Sequence, residues 1–197
     1  MIGVIDYGAG NIRSVSNALV KLGVRHFISK DRNELAQASK IIFPGVGEAR
    51  SAMDALIKVK LQDWLKEVSV PFLGICLGMQ LLFERTTERD TQCLGILSGT
   101  NQRFTRGQSD FKVPHMGWNQ VFHTNASILF SGITSGEYFY FVHSYYAPIA
   151  PSTVGTTEYG VSFTSALKQN NYYGVQFHPE KSAKAGLQLL KNFIDLC

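Results

Sequence analysis

The chain has 197 residues and a formal net charge of +4, with 45% of its residues hydrophobic and 17% charged. This length supports one sizeable core, so we expect a single domain over residues 1–197. No apolar run approaches the roughly 20 residues that a membrane-spanning helix needs. The basic residues are scattered, apart from a loose group at Arg103, Arg106 and Lys112, which indicates a solvated surface and argues against nucleic-acid binding.

The cysteines indicate a reducing compartment. There are three of them, Cys76, Cys93 and Cys197, an odd number without paired spacing, so we expect free thiols and a cytoplasmic protein. The opening residues show no basic leader followed by an apolar stretch, so no secretory signal is expected. The sequence has no Cys-x-x-Cys and no His-x-x-x-His pair, which makes a structural zinc site unexpected.

The first half of the chain alternates apolar strands with helices. Strands are predicted for IGVIDYG, RHFIS, SKIIFPGVG (broken at Pro44) and VPFLGIC, and helices for NIRSVSNALVKLG, ARSAMDALIKVKLQDWLKEV and LGMQLLFE. Almost wholly apolar strands that alternate with helices indicate a parallel sheet covered on both faces.

The second half has a different texture. From about Thr100, strand-like segments follow one another with little helix between them, and they are QRFTR, WNQVFH, EYFYFVHSYY, TVGTTEY, VSFTSALKQ and YYGVQF. We expect them to add antiparallel strands to the same sheet. An amphipathic helix, SAKAGLQLLKNFIDL, is predicted to close the chain.

A cysteine between two glycines is the most informative local feature. Cys76 has Gly74 two positions before it and Gly78 two positions after it, where a predicted strand meets a predicted helix. This pattern is a nucleophile elbow with Cys in place of Ser, in which a crowded turn lifts the side chain out of the sheet. The amides that open the following helix favour the thiolate, and the Leu77 N–H is aimed where an oxyanion would form. A buried structural cysteine at a strand end is the plainer interpretation of the same motif.

A thiolate that attacks an amide needs a proton shuttle, usually a histidine. The sequence contains five histidines, His26, His115, His123, His143 and His178. Only His178 ends an apolar strand and is followed by a carboxylate at His-x-Glu spacing. Glu180 can accept a hydrogen bond from one ring nitrogen, leaving the other free for the sulfur. We therefore expect Cys76, His178 and Glu180 to act together.

A glycine-flanked loop after the third strand is a further candidate. In Phe43-Pro44-Gly45-Val46-Gly47, backbone N–H groups can be brought to an anion or oxyanion. On spacing alone, a plain strand-to-helix turn explains the loop equally well.

Three motifs together resemble a known family. The segments GICLGMQLLFE, FPGVGEA and GVQFHPEKS are similar to those of the triad-type (class I) glutamine amidotransferases, and the resemblance covers nearly the whole chain. The opening IDYGAGNIRSV and the stretch from Val113 to Asn119 narrow it to the glutaminase subunits of imidazole glycerol phosphate synthase. The resemblance implies an α/β, flavodoxin-like sandwich with a mostly parallel central sheet plus added antiparallel strands, and it implies no metal or organic cofactor.

The same resemblance implies a role for each matching residue. Cys76 would attack the side-chain amide of glutamine, His178 would protonate the leaving ammonia and later activate water, and Glu180 would orient His178. Val46 and Leu77 would form the oxyanion hole. The residues expected to bind substrate glutamine are Gly45, Gly47, Gln80, Ser144 and Tyr145.

A partner is also implied. In the resembled family, a barrel-type (HisF-like) cyclase subunit forms a heterodimer with the glutaminase, receives its ammonia and makes imidazole glycerol phosphate and an aminoimidazole carboxamide ribotide in histidine biosynthesis. The stretch PHMGWN lies between predicted strands and reads as a loop, and Trp is enriched at interface hot spots. We therefore expect the partner contact to be formed at or near His115, Met116, Trp118 and Tyr140.

Other interpretations of the residues stay open. Gly8-Ala9-Gly10 opens a helix as a dinucleotide-binding fingerprint would, but Arg13 holds the third glycine position and no acidic residue follows the second strand. A cysteine peptidase or deglycase-like hydrolase could carry the same elbow. The glutaminase subunit of another ammonia-using synthase, or a partner subunit without catalysis, are the remaining alternatives.

Overall fold

The computed structural model describes residues 1–8, 11–105, 112–124 and 127–197. Its strands are β1 (Ile2–Ile5), β2 (His26–Ser29), β3 (Lys40–Gly45), β4 (Phe72–Cys76), β5 (Phe83–Thr86), β6 (Thr91–Gln92), β7 (Leu97–Arg103), β8 (His115–His123), β9 (Glu137–His143), β10 (Tyr145–Tyr146), β11 (Thr153–Glu158), β12 (Ser162–Gln169) and β13 (Tyr172–Val175). Its α-helices are α1 (Ile12–Lys21), α2 (Arg32–Leu35), α3 (Ala49–Lys58), α4 (Gln62–Glu67), α5 (Leu77–Gln80) and α6 (Ala183–Leu196). Short 3-10 helices cover Glu88–Asp90, Ile128–Phe130 and Pro179–Lys181.

Nine of these strands form one mixed sheet, in the order β2-β1-β3-β4-β13-β12-β11-β8-β9. The strands from β2 to β13 in this order are parallel to their neighbours, and those from β13 to β9 are antiparallel. The α/β fold with a parallel centre and added antiparallel strands is therefore confirmed. Strands β10-β7-β5-β6, in this order, form a second sheet. The prediction that all later strands join one sheet is thus wrong for β7 and β10.

Helices cover both faces of the parallel strands. Successive residues of a strand point to opposite faces, so Ile42 packs into one core cluster while Phe43 packs into the other. The cluster around Ile42 takes its helical side chains from α1 and α6, and these are Val15, Ala18, Leu19, Leu189, Leu190 and Phe193. The cluster around Phe43 takes them from α2, α3, α4 and α5, and these are Leu35, Ala49, Ala52, Met53, Leu56, Leu65, Leu77 and Met79. No helix among the described residues is long and apolar enough to cross a membrane.

The parallel pairing brings three predicted motifs to one edge of the sheet. Gly45 at the end of β3 pairs with Cys76 at the end of β4. On the other side of β4, Ile75 pairs with Val175 at the end of β13, three residues before His178. Because parallel strands leave a sheet at the same edge, the glycine loop, the cysteine and the histidine follow three adjacent strand ends.

The helix predicted after Cys76 is much shorter than expected. It ends at Gln80, and the chain turns into β5 by Phe83. Leu81 and Leu82 are fully buried, so this run is apolar on every side and has no one-sided periodicity that separates helix from strand.

Two other predicted elements differ in detail. The long helix predicted after the glycine loop is divided into α3 and α4 at Lys60, whose backbone is left-handed (φ 59°). Strand β3 continues through Pro44 to Gly45. The paired part of β1 ends opposite Ile42, so the missing N–H of Pro44 removes no hydrogen bond to β1.

Candidate active site

The nucleophile elbow is present at the end of β4. Cys76 has φ 54° and ψ −111°, a combination that non-glycine residues rarely adopt, and α5 begins at the next residue. A backbone held in such a region costs on the order of 1–3 kcal/mol and is concentrated at functional sites. The strain therefore marks Cys76 as more than a cysteine that fills space.

The flanking glycines are needed because the elbow lies against its own strand and against β3. A Cβ atom on Gly74 would lie 2.7 Å from the Gly78 carbonyl oxygen, and a Cβ on Gly78 would overlap the Phe43 carbonyl oxygen. Side chains at these positions would push α5 away from the sheet. The prediction that the turn is sterically crowded agrees with this geometry.

His178 and Glu180 form a buried pair. The Nδ1 atom of His178 lies 2.8 Å from Oε1 of Glu180, and their side chains are only 2% and 1% exposed. Among the residues that the structure describes, neither Nε2 of His178 nor Oε2 of Glu180 has a hydrogen-bond partner. The second ring nitrogen of His178 is thus available to exchange a proton with a reacting group.

The electrostatics of His178 favour its charged form. Burial lowers the pKa of the imidazole, but electrostatic attraction to Cys76 and the hydrogen bond and attraction to Glu180 more than offset burial and raise this pKa to about 10. Opposite charges close to a titrating group stabilise its ionised state in this way. An imidazolium that faces a thiolate is the arrangement that activates a cysteine nucleophile.

The sulfur of Cys76 also contacts a glutamine that sequence reasoning missed. Nε2 of Gln176 lies 3.7 Å from Sγ, and the Val142 carbonyl oxygen lies 3.8 Å from it. Gln176 is fully buried, and its Oε1 accepts a hydrogen bond of 2.9 Å from Nε2 of Gln80. The sequence offers one signal for Gln176, namely a polar residue between the apolar Val175 and Phe177, two positions before His178.

A small cavity of about 150 Å³ opens beside Cys76. Its lining residues are Val46, Gly47, Cys76, Leu77, Gln80, Glu88, His143, Ser144 and Tyr145. Both predicted oxyanion residues and four of the five predicted substrate-binding residues belong to this lining. Gly45 does not, since it packs against α5, where a Cβ would lie 2.5 Å from the Gly78 backbone nitrogen. Gly47 has φ +95°, a conformation that favours glycine.

Glu88 is the carboxylate of this cavity and was not predicted. It lies in a short 3-10 helix after β5, and its Oε2 accepts a hydrogen bond of 2.8 Å from the Ala49 N–H. Burial raises the pKa of Glu88, and the hydrogen bond from Ala49 partly opposes this. Its local sequence, TTERD, resembles any charged surface turn, so no pattern distinguishes Glu88 from its charged neighbours.

The residues expected at a partner contact divide into two groups. Trp118 and Met116 are 52% and 62% exposed, and the Trp118 ring meets the Tyr140 ring edge-on at 6.1 Å. His115 is only 2% exposed, so its side chain does not itself reach the surface of this chain, and its place at or near the partner contact stays a prediction. The stretch PHMGWN is also not a loop, because β8 begins at His115 and pairs with β9.

The structure gives little support to a metal site, a dinucleotide-binding fingerprint or a basic binding surface. Within the described ranges, no group of three or more His, Cys, Asp or Glu side chains could hold a metal ion. Ala9 and Gly10 of the possible dinucleotide fingerprint, and Arg106 of the basic group, lie outside the described residues.

The chain matches known proteins over nearly its full length. The family model for glutamine amidotransferase class-I matches residues 3–196. The imidazole glycerol phosphate synthase subunit HisH of Bacteroides thetaiotaomicron is 46% identical over 195 residues, covering 99% of each chain. The subunit of the same name from Bacteroides fragilis is 47% identical over 195 residues, again covering 99% of each chain.

Solved structures support the same fold. A crystal structure of a glutamine amidotransferase superposes with a TM-score of 0.75 at 18% identity, over 99% of this chain and 97% of that one. A chain in the structure of PurLQS from Thermotoga maritima superposes with a TM-score of 0.71 at 17% identity, over 98% of this chain and 97% of that one. From its family match and its full-length relatives, the chain belongs to the class-I glutamine amidotransferase family and, within it, to the HisH subunits of imidazole glycerol phosphate synthase.

Proposed function

We propose that this chain, as one domain over residues 1–197, hydrolyses glutamine to glutamate and ammonia through a Cys76–His178–Glu180 triad. The observation that carries the proposal is the buried His178–Glu180 pair beside the strained Cys76 elbow. The pKa of His178, raised to about 10, means that His178 is an imidazolium at neutral pH and can hold a positive charge beside Cys76. A positive charge beside a cysteine favours the thiolate form that acts as the nucleophile.

The reaction proceeds through a glutamyl thioester. The Cys76 thiolate attacks the carboxamide carbon of glutamine, and the electron pair of the C=O bond moves to oxygen. His178 gives its Nε2 proton to the leaving nitrogen, the C–N bond breaks, and ammonia departs. Neutral His178 then removes a proton from water, which attacks the thioester and releases glutamate and the thiolate. Glu180 keeps Nδ1 protonated and the ring in place throughout.

The oxyanion is stabilised by backbone N–H groups of Val46 and Leu77. Both residues line the cavity beside Cys76, and the Leu77 amide opens α5. An oxyanion donor acts mainly on the transition state, and removing one typically lowers the rate by about 100-fold or more. The left-handed Gly47 allows the loop to present its amides at this position.

The rest of the cavity recognises the amino-acid end of glutamine. Glu88 supplies the negative charge that an α-ammonium group needs, and Ser144 and Tyr145 lie on the cavity wall beside it as backbone contacts for the α-carboxylate. Both N–H groups of Gln80 are already donated, to the Tyr145 carbonyl oxygen at 2.7 Å and to Gln176. Gln80 therefore meets substrate through its Oε1 acceptor.

The ammonia is passed to a barrel-type cyclase subunit that docks on the β8–β9 ribbon. The support for this step is the exposed pair Met116 and Trp118, with the partly buried Tyr140 against the Trp118 ring, an apolar surface that a monomer leaves in water. Ammonia released to solvent would be protonated and diluted, so a sealed contact between the two active sites is required. The chain serves histidine biosynthesis in this complex.

The test is glutamate formation from glutamine by the purified full-length chain, alone and with a barrel-type cyclase and its ligand. We expect slow turnover alone and strong stimulation by the loaded cyclase. Glutamine labelled with ¹⁵N in its amide should transfer the label to the cyclase product. Hydrolysis that is fast alone and unaffected by the cyclase would favour a different ammonia-using partner, and an absence of hydrolysis in both would reject the proposal.

A further inference from the structure

A line of hydrogen bonds runs behind the cavity, and in each of them the donor lies on the side of Asn119 and the acceptor on the side of the cavity. His143 Nδ1 lies 2.8 Å from the Tyr145 carbonyl oxygen, which can only accept, so the proton is on Nδ1. His143 Nε2 lies 2.9 Å from His115 Nδ1, and His115 Nε2 lies 3.3 Å from the Asn119 side-chain amide. The line therefore connects Asn119 on β8 to a wall of the substrate cavity.

Both imidazoles are neutral. Burial lowers the pKa of His115 to about 4, and burial together with the neighbouring His115 and His178 lowers the pKa of His143 to about 3, against a weaker opposing effect of the Tyr145 carbonyl. A neutral imidazole has one donor and one acceptor. Since His143 donates through Nδ1, its Nε2 accepts from His115 Nδ1, and His115 Nε2 in turn accepts from Asn119.

The rings are held firmly in this arrangement. His115 is stacked between Tyr159, at 3.9 Å between centroids and 21° between planes, and Phe141, at 4.8 Å and 23°. His143 packs against Phe163 at 5.2 Å. Closely packed aromatic faces on both sides of His115 leave its ring no room to turn, so its two nitrogens keep their partners.

The far end of the line reaches the nucleophile. The Tyr145 carbonyl oxygen accepts both from His143 and from Nε2 of Gln80. Gln80 also donates to Gln176, whose own amide lies 3.7 Å from Cys76 Sγ. A shift of the Tyr145 carbonyl would therefore disturb the buried amides that contact the sulfur.

We infer that His115 and His143 are positioning residues, which hold the Tyr145 carbonyl and, through Gln80 and Gln176, the cavity wall around Cys76. This inference rests on the proposed glutaminase function. Neither ring nitrogen of His115 faces solvent, and the residue acts only through His143. The line also ties the cavity to β8, the strand that carries Trp118, so that a partner seated on this strand shares a hydrogen-bonded connection with the substrate site.

Two substitutions at His115 separate a hydrogen-bonding role from simple packing. His115→Phe keeps a flat ring between Tyr159 and Phe141 but removes the donor to His143. His115→Asn removes the ring but keeps a side-chain N–H close to the position of Nδ1. Both variants are measured in the complex with the cyclase, for kcat, for KM and for melting temperature.

We expect His115→Phe to lower kcat/KM by roughly tenfold, the size of effect typical of a residue that couples sites without touching substrate. His115→Asn should retain more activity than His115→Phe although it melts at a lower temperature. Activities that follow the melting temperatures, with Phe above Asn, would overturn the inference, as would equal activity in both variants and wild type.

A second measurement is independent of turnover. In the full-length chain labelled with ¹⁵N-histidine, NMR should find His115 and His143 neutral and protonated on Nδ1 at pH 7, and His115→Phe should change the His143 ring shifts. A proton on Nε2 of either ring would reject the proposed line of hydrogen bonds even if glutaminase activity is normal. Wild-type protein with the expected ring protonation but without glutaminase activity would instead reject the proposed function.

Discussion

His178 Nδ1 and Glu180 Oε1 lie 2.8 Å apart at a site where both side chains are almost completely buried. Pro179 separates the two residues and opens the 3-10 helix that turns Glu180 back toward the ring. This contact holds the proton on Nδ1 of His178 and leaves Nε2 for the proton transfer that we propose.

The first expectation concerns this contact. Glu180→Gln keeps the shape of the side chain but no longer stabilises the imidazolium, so kcat should fall by roughly 100-fold or more while KM changes less. His178→Ala should abolish turnover. Steady-state glutaminase kinetics provide the measurement, with Glu34→Gln as the control, because Glu34 also accepts a side-chain hydrogen bond, from Ser29, but lies on α2. Full activity in both the His178 and the Glu180 variants would show that this pair has only a structural role.

The second expectation concerns Glu88 as the anchor for the substrate ammonium. Glu88→Gln should raise KM by about tenfold with a smaller change in kcat, since a hydrogen bond to a charged group is worth about 1.5–3 kcal/mol. Glu84→Gln is a matched control because both carboxylates accept a backbone N–H, Glu88 from Ala49 and Glu84 from Gly99. A fall in kcat at unchanged KM would place Glu88 in the chemical step instead.

Stability should depend on pH in a way set by the buried histidines. Between about pH 6.5 and pH 4 the unfolded chain protonates His115 and His143, while the folded chain keeps both neutral. The free energy of unfolding should therefore fall as the pH is lowered through this window. Among the residues that the structure describes, the other titratable side chains found beside these rings are His178, next to His143, and Tyr159, stacked on His115.

His178 has the opposite effect on the free energy of unfolding, which should fall as the pH is raised. Its folded pKa of about 10 lies above the unfolded value of about 6.5, so its contribution is complete below 6.5 and is lost as the pH rises through 10. Urea unfolding at unit pH steps from 4 to 10 measures both effects. His115→Phe should flatten the acid limb, and an acid limb of unchanged slope would contradict the assignment of neutral, buried imidazoles.

The grouping of Cys76, His178 and Glu180, the proposed triad, could be predicted from sequence because these residues are adjacent to strand ends. Cys76 and His178 each follow an apolar strand, and parallel pairing of β4 with β13 brings such ends together without any further information. Glu180 is two residues from His178 and shares its local geometry. Short-range spacing and one topological rule are therefore sufficient for these three positions.

The rest of the site depends on contacts that no local pattern contains. Glu88 reaches the cavity because β5 leads away from a helix of one turn, whereas the apolar run after Cys76 predicted a longer helix. His115 was expected only at or near the partner contact, in a stretch that Pro114 and Gly117 indicated to be a loop. Its burial follows from β8–β9 pairing and from stacking on Tyr159, 44 residues further along the chain by their numbering.

The exposed face of β8 provides a further test. Trp118→Ala should weaken cyclase binding or uncouple hydrolysis from ammonia transfer, because a large aromatic at the centre of an interface contributes more than its neighbours. The melting temperature of the free chain should change little, as about half of the side chain is already in water. Binding affinity, coupling and melting temperature are measured together.

Ile57→Ala is the control for Trp118. Ile57 is exposed to a similar degree, 53%, but lies on α3, so its replacement should leave cyclase affinity unchanged. If the Trp118 variant shows a large loss of melting temperature and a normal affinity for the cyclase, Trp118 has a packing role and the interface prediction is wrong.

The central claim, that Cys76 forms a glutamyl thioester, is tested most directly by trapping that species. The chain in its cyclase complex is mixed with glutamine, quenched in acid within milliseconds to seconds and digested for mass spectrometry. We expect a glutamyl adduct on the peptide that contains Cys76 and no adduct in Cys76→Ser. Cys93 is the internal control, since burial and the nearby Glu88 raise the pKa of its thiol to about 12. An adduct on Cys93, or undiminished hydrolysis by Cys76→Ser, would contradict the assignment.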